Sequence, residues 1–266
     1  MKRQSIINAR SACLGGAALA LLLLTACASA GGTSAANAKP DAELAALPSS
    51  QQPMLRLARA AHAAGDYASA INLYRTIAAI GSDPAIAVEL GDTLVDAGSF
   101  DDAISAYKSV PAKSGAELGA ALGLEHAYLA LNDLPKAMEQ AERARALAPQ
   151  DRKVLIDRGI ALDLYGRHKE AQDSYSAWLA KAPQDRTARV DLALSLAFSG
   201  DYDRALETLS PIARSSNATP RERQDLALIY GLKGDKDEAM RWSKLDLDAG
   251  ETASNLQFFD LIRGAR

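Results

Sequence analysis

Few residues in this 266-residue chain have side chains suited to chemistry, and they are widely spread. The histidines are His62, His126 and His168, and the cysteines are Cys13 and Cys27. An imidazole can serve as a general base or a metal ligand. No second histidine or cysteine stands four residues from any of the three, so no helical metal pattern forms. Spacing this diffuse does not assemble a Ser/His/Asp set. No G-x-x-x-x-G-K-[ST] loop, H-E-x-x-H or C-x-x-C is present. The sequence therefore predicts no catalytic residue, no metal and no cofactor. Cys27 is different. It follows an apolar run and the small residues Thr25 and Ala26.

The segment ahead of Cys27 reads as a signal. Lys2, Arg3 and Arg10 give a positive start, and Cys13–Leu24 is an apolar run too short to span a bilayer. Leu24-Thr25-Ala26-Cys27 resembles the bacterial lipobox. That resemblance implies cleavage before Cys27 and acyl chains on its thiol and new amine. Cleavage after Ala28-Ser29-Ala30, or a retained anchor helix, are the alternatives. Loss of residues 1–26 removes Cys13, so the mature chain has one cysteine and forms no internal disulfide; acylation disposes of that lone thiol. Acyl chains each contribute about 0.8 kcal/mol per buried CH₂, enough in combination to make release negligible. Ala28, where an Asp would resemble an inner-membrane retention signal, implies the outer membrane, facing the periplasm. Residues 27–50 read as a Gly-, Ser-, Ala- and Pro-rich tether, roughly 25 Å in root-mean-square span as a flexible coil.

Net charge is −3 for the whole chain, and more negative without the three signal cations. Neither a nucleic-acid partner nor a membrane held by basic residues is expected. Alanine is abundant, aromatics make up 5%, and 48% of residues are hydrophobic. This suits a helical protein.

The elements that position everything else repeat. Gly65, Gly98, Asn132, Gly166, Gly200 and Gly234 recur at steps of 33, 34, 34, 34 and 34. Five residues beyond each stands alanine: Ala70, Ala103, Ala137, Ala171, Ala205 and Ala239. Tyr74, Tyr107 and Tyr175 stand nine beyond three of the markers. In Gly159–Pro183 the pattern is a helix, a tight glycine turn and a second helix stopped by proline. Small residues such as Gly91, Gly159, Ala193 and Ala227 let paired helices cross closely, and larger ones fill the space between hairpins. A 34-residue helix–turn–helix period in this order resembles the tetratricopeptide repeat (TPR) family. The implied fold is all-α: a TPR solenoid of about six repeats over residues 51–247, with a capping segment at 248–266.

In TPR proteins the first helix of each repeat lines the concave face. Carried onto this chain, that implies a groove formed by Val88, Asp92, Val95, Leu122, His126, Leu129, Ile156, Ile160, Asp163, Val190, Asp191 and Leu194. It is mostly apolar with scattered acids, suited to an amphipathic helix or extended peptide. Pro111 is expected to end a second helix early, and Pro211 to kink another or begin a new turn. His168 occupies the turn position of Tyr67 and Tyr202 and reads as structural.

The tail adds a further resemblance. Arg223-Gln224-Asp225-Leu226-Ala227-Leu228, Tyr230-Gly231-Leu232-Lys233-Gly234-Asp235, Leu245-Asp246-Leu247 and the run from Asn255 to Arg263 follow one another. This order is similar to the tail of TadD-like TPR lipoproteins of the tight-adherence (Flp, type IVb pilus) system, although such tails usually have Asn where Asp225 stands. The resemblance implies a pilotin-like factor whose partner is the secretin or another pilus-assembly component. Outer-membrane TPR adaptors for peptidoglycan enzymes or barrel assembly share the same general pattern. Within the tail, Leu256, Phe259 and Ile262 share one helical face and are expected to cap the last hairpin.

Overall fold

The structure, a computed structural model, describes residues 51–81 and 83–264; the signal, Cys27 and the tether lie outside the described residues. The described residues form helices joined by short turns, without strands. In chain order the helix pairs are α1 (Gln52–Ala63) and α2 (Tyr67–Ile80), α3 (Pro84–Asp96) and α4 (Phe100–Lys108), and α5 (Glu117–Ala130) and α6 (Leu134–Leu147). They continue with α7 (Arg152–Leu164) and α8 (His168–Leu179), α9 (Arg186–Phe198) and α10 (Tyr202–Ala213), and α11 (Pro220–Lys233) and α12 (Lys236–Ser243). A final helix, α13, covers Ala249–Gly264. The described chain divides into two compact units, residues 51–161 and 162–264, with the boundary inside α7.

The turns show why the period is so regular. All six markers adopt left-handed backbone, with φ from 56° at Asn132 to 93° at Gly234. Glycine tolerates this conformation freely and asparagine better than most residues. In each turn the next residue's N–H reaches back to a helix carbonyl five residues earlier, as from Asp66 to Ala61 at 2.9 Å and Asp133 to Tyr128 at 2.8 Å. This is the Schellman closure, which satisfies carbonyls left open at the helix end. That same next residue opens the second helix. Asp66, Asp133, Asp201 and Asp235 accept the N–H groups of Ser69, Lys136, Arg204 and Glu238. One Gly-Asp or Asn-Asp pair thus stops one helix and caps another.

Packing between helices uses small against large. In the first unit, the Tyr107 ring on α4 lies between Gly91 on α3 and Gly123 on α5. A β-carbon at those glycines would stand 2.4 Å and 2.2 Å from the ring. Tyr74 and Tyr107 are both 2% exposed. In the second unit, Leu194, Leu196, Leu209, Leu226, Ile229 and Trp242 share one core.

Phe259 and Ile262 of α13 join the second unit's core, and Leu256 packs against it partly buried. The cap repeats the small–large device: a β-carbon at Gly231 would stand 2.4 Å from the Phe259 ring.

The two prolines behave differently. α4 ends at Lys108, short of Pro111, and α5 begins at Glu117 after a loop in which Lys113 takes a φ of 63°. At Pro211 no new turn begins: α10 runs on to Ala213. The ring lies on an exposed position of the last turn, where the missing N–H interrupts little that follows.

Candidate functional site

The residues expected to line a groove fall into two groups. Val88 and Val95 on α3, His126 on α5, Ile160 on α7 and Asp191 on α9 are partly accessible, and Asp92 on α3 is exposed. Leu122 and Leu129 on α5, Ile156 and Asp163 on α7, and Val190 and Leu194 on α9 are instead buried, none more than 7% exposed. For these six the expectation is corrected: they are core, not partner-facing surface. For Leu122 and Leu129 on α5, and Val190 and Leu194 on α9, packing between successive first helices contributes: α3 meets α5 and α9 meets α11 directly, occluding positions that the helical pattern alone leaves open.

In the first unit the accessible face is crossed by polar links between first helices. Arg59 of α1 makes a forked pair with Glu89 of α3, Nε to Oε2 at 2.9 Å and a terminal nitrogen to Oε1 at 2.5 Å. The Tyr74 hydroxyl donates to the same Glu89 at 2.8 Å. His62 meets Thr93 Oγ1 through Nδ1 and Asp96 Oδ2 through Nε2, both at 2.9 Å. Tyr107 donates to Asp92 at 2.6 Å. Further along, His126 Nε2 lies 3.0 Å from Asp157 Oδ2, which also accepts from Lys153 at 2.5 Å. Burial works against the Asp157 carboxylate, but His126 and Lys153 outweigh it and hold its pKa at about 2. Val88 and Val95 stay partly accessible along α3 beside these links, with Asp92 exposed between them.

In the second unit, Asp163, His168 and Ser195 come together, which sequence spacing did not reveal. His168 Nδ1 lies 2.8 Å from Asp163 Oδ1, and the Ser195 hydroxyl donates to that oxygen at 2.7 Å. Tyr175 donates to Oδ2 at 3.1 Å. The order is wrong for nucleophilic catalysis, in which the imidazole stands between acid and hydroxyl. Here both groups converge on the acid, and Ser195 is wholly buried. Burial pushes the Asp163 carboxyl upward, opposed by the hydrogen bonds from His168 and Ser195. The cluster fastens α7, α8 and α9 to one another. Among the described residues no group of three or more His, Cys, Asp or Glu is arranged to hold a metal ion.

Arg186 at the start of α9 is a second junction. Its guanidinium makes a forked ion pair with Glu222 of α11 and reaches Asn217 and Ser215 of the intervening loop. Glu222 in turn completes a capping box with Thr219. Arg223 pairs with Asp246 beyond α12. Asp225, beside these pairs, has one carboxyl oxygen buried without a hydrogen-bond partner.

Residues 55–117 and 122–186 match the family model described as tetratricopeptide repeat. The chain is a tetratricopeptide-repeat protein. A solved TPR protein from Parabacteroides merdae is similar over 91% of this chain and 99% of its own, with a TM-score of 0.62 at 13% identity. The MamA protein is similar over 64% of this chain and 97% of its own, with a TM-score of 0.52 at 22% identity. At these identities the likeness concerns the fold. No curated protein sequence matches the chain. TPR folds serve generally as protein-interaction scaffolds rather than enzymes, and this TPR protein is read as such a scaffold.

Proposed function

We propose that this TPR protein is an outer-membrane lipoprotein, held by acyl chains on Cys27 and facing the periplasm, that scaffolds assembly of a tight-adherence (Flp) pilus. In this reading its first-helix faces hold a segment of the secretin, or of another pilus-assembly component, in a pilotin-like role. The observation that carries it is the order along the chain: Leu24-Thr25-Ala26-Cys27, then TPR hairpins, then the tail from Arg223 to Arg263. The accessible residues Val88, Asp92, Val95, His126 and Ile160 are the contact candidates in the first unit, and Asp191 in the second. An anchor raises the local concentration of scaffold and membrane-bound partner together, so a weak contact suffices.

The test is deletion of the gene, with complementation by the native chain and by Cys27→Ser, followed by imaging of surface pili and labelled-palmitate incorporation. Loss of pili, restored by the native chain but not by the unlabelled Cys27→Ser chain, supports the reading. Normal pili in the deletion strain overturn it. Recovery of peptidoglycan hydrolases or barrel-assembly components, rather than secretin, from solubilised membranes would replace it with an adaptor role.

A further inference from the structure

Seven residues before the turn markers stand Ala58, Gly91, Glu125, Gly159, Ala193 and Ala227. Five are small, as close crossing of two helices requires. Glu125 is not. The partner position, nine beyond the marker, holds Tyr74, Tyr107, Tyr175 and Leu209 in four hairpins and Ser243 in the sixth, opposite the small Ala227, but α6 holds Ala141 opposite Glu125. The third hairpin has therefore exchanged its large and small members, and the large member is an acid. Glu125 and Ala141 are both 0% exposed.

Neither carboxyl oxygen of Glu125 has a hydrogen-bond partner. An ionised carboxylate in that position costs far more than a neutral acid. The charged groups facing it are Glu142 on α6 and Lys153, Asp157 and Arg158 on α7. Both cations are already engaged, Lys153 with Asp157 and Arg158 with Glu142. α3 and α4 also pack against α5, and their Asp92 and Tyr107 are bonded to each other. Burial pushes the Glu125 carboxyl well above the usual carboxylate range, and Asp157 adds to the effect.

We propose that the third hairpin is a proton-responsive joint: α5 and α6 cross closely while Glu125 is neutral and separate when it ionises. His126 follows Glu125 directly on α5, so separation displaces an accessible residue of the candidate surface. The scaffold then presents a different face above and below the transition. This device is independent of which partner binds.

The experiment is amide exchange of the full chain, read for α5 and α6 between pH 6 and 9 and corrected for intrinsic exchange. Opening that releases one proton makes the opening constant rise tenfold per pH unit. Glu125→Gln keeps the shape and removes the charge. It is expected to abolish that rise in α5 and α6, to suppress opening at least tenfold at pH 8, and to leave α1 and α2 unchanged. An unchanged slope in Glu125→Gln overturns the proposal. Should that variant fail to fold, the carboxyl carbon resonance of Glu125 in the native chain decides. Titration at or above pH 6 supports the joint, and titration below pH 5 overturns it.

Discussion

Tyr107 and Gly91 fit only as a pair: a β-carbon on residue 91 would lie 2.4 Å from Tyr107 Cε1. Gly91→Ala gains up to about 1 kcal/mol of helix propensity in α3. Overpacking a filled core costs about 1–3 kcal/mol, so the net effect is destabilising. Tyr107→Leu, which also loses the bond to Asp92, destabilises as well. The double variant Gly91→Ala/Tyr107→Leu is expected to lose less than the sum, because the smaller side chain vacates the space. Urea unfolding of the four chains closes the cycle.

Asp225 sets a pH dependence in the second unit. Burial, opposed by the Arg221 cation, raises its carboxyl from 3.8 to about 7. A folded-state pKa above the unfolded value means that the folded chain binds the extra proton. Stability from this group is fully present below pH 3.8 and is lost as pH rises through 7. The loss is about 1.4 kcal/mol per pH unit over that window, a few kcal/mol at most. Asp225→Asn is expected to resemble the native chain at pH 4 and to exceed it in urea midpoint at pH 8.

The Arg186–Glu222 pair acts in the opposite sense. The hydrogen bond from Arg186 holds Glu222 at about 2, below its ordinary 4.5. Its stabilisation is present above pH 4.5 and disappears as pH falls toward 2. The Arg186 side chain is 34% exposed, so water screens the pair and its expected contribution is about 1 kcal/mol, not the full shift. Arg186→Lys loses the fork but keeps the charge. It is expected to lower the unfolding free energy at pH 7, with the difference from the native chain narrowing as pH falls toward 2, by thermal or urea titration.

Asn132 is the non-glycine member of the turn series, at φ 56°. Asn132→Gly is expected to be neutral or slightly stabilising. Asn132→Val, whose β-branched side chain resists left-handed backbone, should cost roughly 1–2 kcal/mol. The urea midpoint measures both.

Much of the fold was legible because its determinants are local. The period of Gly65, Gly98 and their successors marks left-handed corners, and a corner depends on a few adjacent residues. Pro111 likewise ended a helix where expected. What escaped depends on tertiary neighbours. Leu122, Leu129, Val190 and Leu194 look outward on a lone hairpin, yet neighbouring first helices help to bury them. Asp163 reads as a groove acid until His168, Tyr175 and Ser195 are folded onto it. Glu125 breaks the small-residue rule at a position where the period itself could have flagged it. The aspartates following four of the turn markers, as caps, were equally visible in the sequence.

The Schellman closures have a bearing on how the chain acquires its shape. Each corner is completed by atoms five residues apart, and each aspartate cap by atoms three apart. A polypeptide emerging gradually, N-terminus first, can set each bend before the following one appears. Assembly can then advance along the molecule by accretion, without waiting for distant segments to meet.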